Sequence, residues 1–336
     1  MFLRHAFPAG ARTSSVSVVL PVLNEAASLA ALLPRIAAVL AECDVAWEIV
    51  IVDDGGSDAL EQVTADFEQR VAGCNLQLIR LSRNFGKEAA LTAGLHAARG
   101  DAVISMDGDG QHPPALIARM IAQWRDGYDM VIGVQRARDR EGRGMVFAKK
   151  LFYRLLQSGE RFAIPANAGD FRLMDRKVVT AILQLPERTR FMKGLYAWVG
   201  FRSAFEPFDA ERRTAGRSKF RLRQLMSLAS LGITSFSMKP LRMVSAAGVL
   251  ISLASLAYGL YILVETLLVG NPVSGWATLA SGIMLLSGIQ LVCLGVIAEY
   301  LGRLFEETKQ RPLYIVDRAT DHSLLGMRES QRKAAL

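Results

Sequence analysis

Two uncharged stretches near the C-terminal end constrain this chain more than any other feature. Met243 to Val264 is a run of 22 residues and Leu267 to Ala298 a run of 32, with no Asp, Glu, Lys or Arg in either. About 20 apolar residues, rising about 1.5 Å each, cover the hydrocarbon core of a bilayer, so each run is long enough to span one. Gly270, Asn271 and Pro272 mark a turn in the second run and leave expected spans at about 243–264 and 276–298. The pair reads as a helical hairpin. Lys239 and Arg242 precede it, Arg303, Lys309 and Arg311 follow it, and its turn carries no Lys or Arg, so both termini are expected on the cytoplasmic side. Two buried helices of a soluble domain are the alternative, but two such runs in succession are rare outside membranes.

The remaining composition narrows the class. Of 336 residues, 51% are hydrophobic and 21% charged, which excludes a polar disordered chain and fits an ordinary soluble enzyme poorly. A net charge of +8 suggests phosphates, lipid headgroups or nucleic acid as partners. Cys43, Cys74 and Cys293 are far apart, which rules out a disulfide framework or a cysteine metal site. The opening MFLRHAFPAGARTSS lacks the apolar core of a secretory signal, so the N-terminus is expected to stay in the cytosol.

Residues 1–220 alternate short β-rich runs with helical patterns, the signature of βαβ units. Strands are predicted at Val16 to Leu20, Glu48 to Val52, Leu76 to Leu81, Ala102 to Met106 and Met130 to Val134. Helices are predicted around Ala27 to Leu40, Leu60 to Val71, Glu88 to Ala98 and Pro114 to Trp124. Right-handed crossovers then build an α/β domain with a mostly parallel sheet covered on both faces. In such sheets ligands bind beyond the carboxyl ends of the strands, and the polar motifs of this chain follow strands. Residues 221–241 carry Leu222, Leu225, Met226, Ala229 and Ile233 at helical spacing with Arg221, Arg223 and Lys239. They read as an amphipathic helix, either in the membrane interface or packed on the sheet domain. A C-terminal tail, 301–336, is expected to be cytoplasmic.

The sharpest motif is MDGDGQHPP, where Asp107 and Asp109 stand two residues apart after a strand. Asp-Gly-Asp-Gly alone is also a common turn, but at a strand end the two carboxylates suit a hard divalent ion that shares its shell with substrate phosphates. An EF-hand is excluded, because His112 and Ala118 occupy the places that require Gly and Glu. LPVLNE and VDDGGSD offer Glu25, Asp53 and Asp54, acids of the kind that hold a ribose or base; Asp58 reads as the cap of the helix near Leu60. No dinucleotide fingerprint, P-loop, zinc-protease or nucleophile-elbow motif occurs. Basic residues cluster in 135–161, with eight against three acids and Arg136 and Lys150 among them, and again in ERRTAGRSKF (211–220). Both clusters suit phosphate or a solvated face, and no aromatic-lined basic module supports nucleic acid.

In order along the chain, PVLNE, VDDGGSD, SRNFGKEAAL, MDGDGQHPP, GDFRLMDR, RFMKGLYAWVGF, RTAGRSKF and the hairpin resemble family 2 glycosyltransferases of the GT-A fold. Within that family they look like the membrane-attached polyprenyl-phosphate enzymes, the bactoprenol glucosyltransferases and dolichyl-phosphate mannose synthases. The resemblance covers about Val16 to Val316, and the two-helix tail is closer to the bacterial glucosyl group. It implies that Pro21, Glu25 and Asp53 hold the nucleoside, and that Asp107 and Asp109 form the DxD motif around Mg²⁺ or Mn²⁺, with Asp109 in the more direct contact. Gln111 would line the same site, Asp170 would orient the sugar, and Arg213 and Lys219 would close over the donor diphosphate. Arg136 and Lys150 would meet the acceptor phosphate. One departure is Gly56, where the family usually has Ser.

The implied reaction is an inverting transfer of a hexose, best glucose from UDP-glucose, to undecaprenyl phosphate at the cytoplasmic face of the inner membrane. GDP-mannose or another UDP-sugar as donor remains open, as does a homo-oligomer. Processive polysaccharide synthesis is disfavoured by the lack of Q-x-x-R-W after the sheet domain, and a catalytically silent membrane scaffold by the intact acids and basic loop.

Overall fold

The computed structural model describes residues 14–71, 75–136, 168–188, 190–211 and 275–323, scattered helical positions between 244 and 268, and residue 325. The chain divides into two compact units, one of residues 1–141, 164–219 and 311–336, the other of residues 142–163 and 220–310.

In the first unit the order is β1 (Ser15–Val22), α1 (Ala26–Glu42), β2 (Ala46–Asp53), α2 (Leu60–Arg70), β3 (Leu76–Leu81), α3 (Lys87–Ala97), β4 (Ala102–Ser105), α4 (Leu116–Arg125) and β5 (Met130–Gln135). It continues with β6 (Ala168–Asp175), α5 (Arg176–Gln184), α6 (Met192–Trp198), β7 (Ser203–Phe208) and, much later in sequence, β8 (Val316–Asp321). The eight strands form one sheet in the order β7-β5-β6-β4-β1-β2-β3-β8. Four of its pairings are parallel and three antiparallel. The five strands and four helices expected from periodicity are all present, with ends shifted by a residue or two.

The apolar runs explain the centre of the sheet. Val16, Val18, Val19 and Leu20 of β1 and Ile49, Val50, Ile51 and Val52 of β2 are wholly buried, as parallel strands covered on both faces must be. Helix α1 presents Leu29, Leu32, Leu33, Ile36 and Leu40 to the same core at helical spacing. Each such side chain removed from water contributes about 1.5–3 kcal/mol.

Two local features differ from the sequence reading. Asp58 caps a helix, but not the one that follows it: its Oδ2 accepts the Ala26 N–H at 2.7 Å, at the start of α1, while Ala59 is the N-cap of α2 with no side-chain cap. The second difference is the C-terminal segment, expected as a tail. Beyond 310 it returns to the first unit, where β8 pairs antiparallel with β3, Gln77 opposite Asp321. Ser323 is buried there and donates to Glu48 Oε2 at 2.5 Å. The fully buried Glu48 carboxylate also accepts from Ser17 Oγ at 2.6 Å, Gln77 Nε2 at 2.9 Å and the Arg99 N–H at 2.7 Å. Four donors replace the water that this charge loses on burial.

In the second unit, Trp276–Thr308 forms one continuous helix, α7, of 33 residues. It contains the whole uncharged stretch 276–298. Leu279, Ile283, Leu291, Leu294 and Leu301 on it are exposed. Among the described residues no helix is long and apolar enough to cross a membrane. The expected first span and the amphipathic segment 221–241 lie largely or wholly outside the described residues.

Candidate active site at the carboxyl ends of the strands

The acids of the sequence motifs converge where β1, β2 and β4 end. Val22 and Asp53 are partners in the last parallel pairing of β1 and β2, so the residues that follow both strands emerge together. Asp53 accepts the Gly56 N–H at 2.7 Å and faces Arg80 Nε at 3.7 Å. Burial pushes its carboxyl above the ordinary aspartate value against both contacts. Asp54 is committed to the backbone, accepting the N–H groups of Phe85 at 2.7 Å and Gly86 at 2.9 Å, which fixes the turn from β3 into α3. At Gly56 a Cβ would fall 2.8 Å from Asp53 Oδ1 and 3.2 Å from Asn24 Oδ1. Position 56 is thus crowded for any side chain on this backbone, and Asn24 Oδ1 accepts the Ser57 N–H at 2.8 Å.

The loop after β4 is ordered by its own side chains. Asp109 Oδ1 accepts the Gln111 N–H at 3.0 Å, and the Gln111 carbonyl accepts the Glu211 N–H at 3.0 Å. The Asp107 N–H donates to His112 Nδ1 at 3.1 Å, so this imidazole carries its proton at Nε2. Burial holds the His112 ring below its ordinary pKa, and it stacks on Phe171 at 4.7 Å between ring centres. Gly108 passes so close to Glu25 that a Cβ would lie 2.8 Å from Glu25 Oε2, which places that carboxylate against the loop.

Antiparallel pairing of β4 and β6 delivers Asp170. Ser105 is opposite Arg172, so Asp107, two residues past Ser105, and Asp170, two before Arg172, fall at the same end of the ladder. Lys87, the first residue of α3, bridges them, with Nζ 2.6 Å from Asp107 Oδ1 and 2.7 Å from Asp170 Oδ2. Burial alone would raise the Asp170 carboxyl, but Lys87, Lys193 and Arg172 hold it below the usual carboxylate range. Beneath it Arg172 is buried, with its guanidinium 3.6 Å from the centre of the Tyr196 ring. Glu88 lies nearby with Oε2 unpartnered, and burial together with the Asp170 charge pushes its carboxyl up to about 8.

Of the other expected site residues, Pro21 is buried in β1 opposite Val52. Arg136 forms an exposed ion pair with Asp209 at 3.0 Å. Lys150, Arg213 and Lys219 lie outside the described residues.

Comparison with known proteins places the chain in a family. The Glycosyl transferase family 2 model matches residues 17–183, and the GtrB C-terminal hairpin model matches 239–304. An uncharacterized glycosyltransferase of Synechocystis is 46% identical over 90% of this chain and 95% of its own length. The bactoprenol glucosyl transferase of Shigella phage SfV is 40% identical over 90% of this chain and 97% of its own. The chain belongs to glycosyltransferase family 2. A further relative, the prophage bactoprenol glucosyl transferase homolog of Escherichia coli K12, is 38% identical over 90% of this chain and 98% of its own. Among solved structures, glucosyl-3-phosphoglycerate synthase from Mycobacterium tuberculosis, in complex with Mg²⁺ and uridine-diphosphate, is similar with a TM-score of 0.47 and 20% identity, over 66% of this chain and 77% of that one.

The family 2 domain has a GT-A fold, a Rossmann-like, mostly parallel sheet, and the GtrB-type hairpin follows it in sequence. Its donor set fits a divalent ion of one kind. Asp107 and Asp109 offer hard oxygen ligands, and Asp107 Oδ1 is buried with no hydrogen bond, only its ion pair to Lys87. Among the described residues no group of three or more His, Cys, Asp or Glu is arranged to hold a metal. Two carboxylates suit Mg²⁺ or Mn²⁺ that completes its shell with substrate phosphate, and do not suit an all-protein cage. Sequence reasoning missed Lys87, Glu88, His112, Arg172 and Tyr196. For Lys87 a signal existed: a cation in the first turn of a helix opposes the helix dipole and needs another reason to be there.

Proposed function

We propose that this enzyme transfers a hexose, best glucose from UDP-glucose, with inversion to the phosphate of undecaprenyl phosphate at the cytoplasmic membrane face. The observation that carries the reading is the end-to-end match to proteins named bactoprenol glucosyl transferase, spanning both the sheet domain and the hairpin. Two features support membrane attachment. Large apolar side chains of α7 are exposed, Leu279 at 66% and Leu291 at 69%, and such a surface calls for lipid or protein against it. The chain also leaves the first unit after β7 and returns to it as β8, so any passage through a membrane between them is made an even number of times. A two-span hairpin with both ends cytoplasmic satisfies that count, and it keeps the active site beside a lipid phosphate that never leaves the bilayer.

The roles follow from charge. The acceptor is a phosphate monoester whose second pKa near 6 leaves it mostly dianionic at neutral pH, so no strong base is required. Glu25 and Asp53 hold the nucleoside. Asp107 and Asp109 hold Mg²⁺ or Mn²⁺, which when bound neutralises charge developing on the leaving diphosphate. Arg213 and Lys219 act on the same charge, while Arg136 and Lys150 receive the acceptor phosphate. Asp170, held anionic by Lys87, orients the sugar. The test is to incubate detergent-solubilised protein with Mn²⁺ or Mg²⁺, undecaprenyl phosphate and radiolabelled UDP- and GDP-sugars. Label from UDP-glucose should pass into the organic phase and vanish with EDTA; label from GDP-mannose alone would reassign the donor, and none from any donor would remove the reading.

A further inference from the structure

Lys87 is the group that the reaction above leaves least explained. One ammonium contacts the two acids that β4 and β6 bring together, at 2.6 Å from Asp107 and 2.7 Å from Asp170. Its place is imposed from behind. The Asp54 carboxylate clamps the N–H groups of Phe85 and Gly86, and the next residue, the first of α3, is Lys87. A cation at that end of a helix works against the helix dipole, so helix stability does not account for it. The Lys87 side chain is 43% exposed as a whole, while the Asp107 oxygen its ammonium meets is buried.

The oxygen that Lys87 meets on Asp107 is otherwise without a hydrogen bond. A divalent ion on the DxD pair needs oxygens of the same carboxylate, and an ammonium and a dication on one oxygen repel each other strongly at about 4 Å in a partly buried site. We propose that Lys87 is a placeholder cation: it holds Asp107 and Asp170 in register before the donor arrives, then releases Asp107 to the incoming metal and diphosphate while it stays on Asp170. This rests on the assignment of the metal to Asp107 and Asp109. Pre-setting the two acids avoids a repulsive empty site and leaves Asp170 anchored where the sugar arrives. In exchange, the lysine weakens metal binding.

That weakening is measurable without turnover. Mn²⁺ is titrated into full-length, detergent-solubilised protein with saturating UDP, and free Mn²⁺ is read by its electron paramagnetic resonance signal. Wild type is compared with Lys87→Met, Lys87→Gln and Asp109→Asn. Lys87→Gln removes the charge but keeps an N–H donor on a side chain one bond shorter, so it covers the case in which Lys87→Met does not fold. Removing one like charge beside the ion predicts Mn²⁺ binding at least about tenfold tighter in the lysine variants. Equal or weaker binding in Lys87→Gln, with Asp109→Asn binding no Mn²⁺, overturns the placeholder role and leaves the metal assignment standing. Undiminished Mn²⁺ binding in Asp109→Asn overturns the metal assignment and the placeholder role with it.

Discussion

At the scale of single residues, Asp170 and Glu88 form a pair whose charges are set in opposite directions by one neighbourhood. Lys87 holds the Asp170 carboxyl anionic despite its burial, and the resulting charge helps burial keep Glu88 protonated, up to about 8. Asp170→Asn removes a charged acceptor from the sugar, and a hydrogen bond to a charged group contributes about 1.5–3 kcal/mol. The expected loss in kcat/KM is about 10- to 100-fold; full turnover in this variant would end the role assigned to Asp170. For Glu88 the native state keeps its proton between the ordinary glutamate value, about 4.5, and about 8, where the unfolded chain has released it. This group's contribution to stability is therefore complete below about 4.5 and is lost as pH rises to about 8. Glu88→Gln cannot release a proton, so its thermal midpoint should fall less than that of wild type across this window. Equal slopes in thermal unfolding from pH 5 to 8.5 would contradict the assignment.

Among the elements, those legible in the sequence are the ones whose chemistry is uniform. Strands β1 to β5 are mainly apolar runs followed by polar residues, and α1 to α4 repeat their apolar residues at helical spacing, so periodicity finds them. Strand β6, AGDFRLMD, carries Asp170 and the buried Arg172 within it, and its polar letters hide a strand completed by cation–π and backbone contacts. Strand β8, VDRATD, is exposed throughout, and its charges suit a sheet edge that must not pair with other chains. Nothing local separates it from a tail; only the ladder to β3 and the bond from Ser323 to Glu48 do so. Glu25, Asp53, Asp107 and Asp109 are legible because they stand at or just past the ends of predicted strands, whereas Asp170 is reached only through the family motif GDFR and its ion pair to Lys87 depends on β6, which periodicity does not show. Ser323→Ala leaves a buried carboxylate oxygen without its 2.5 Å donor and is expected to cost about 1–3 kcal/mol. Urea unfolding measures this, and an unchanged midpoint would show that the C-terminal segment does not secure the sheet.

For the molecule as a whole, the proposed reaction requires the strand-end site of the family 2 domain to meet the phosphate of a lipid that stays in the bilayer. If both ends of the hairpin are cytoplasmic, a single cysteine placed at Asn271, in a Cys43→Ala, Cys74→Ala, Cys293→Ala background, should be labelled by a membrane-impermeant maleimide from the periplasmic side. A cysteine at Thr320 should react only after permeabilisation. The reverse pattern would invert the topology. The central claim, inverting transfer to a lipid phosphate by the family 2 domain, is tested most directly by the structure of the product. The lipid made from undecaprenyl phosphate and UDP-glucose is extracted, and its anomeric carbon and phosphorus are read by nuclear magnetic resonance. The account predicts one glucose in β-linkage to the phosphate, absent with Asp109→Asn; an α-linked sugar, or lipid without sugar, would contradict it.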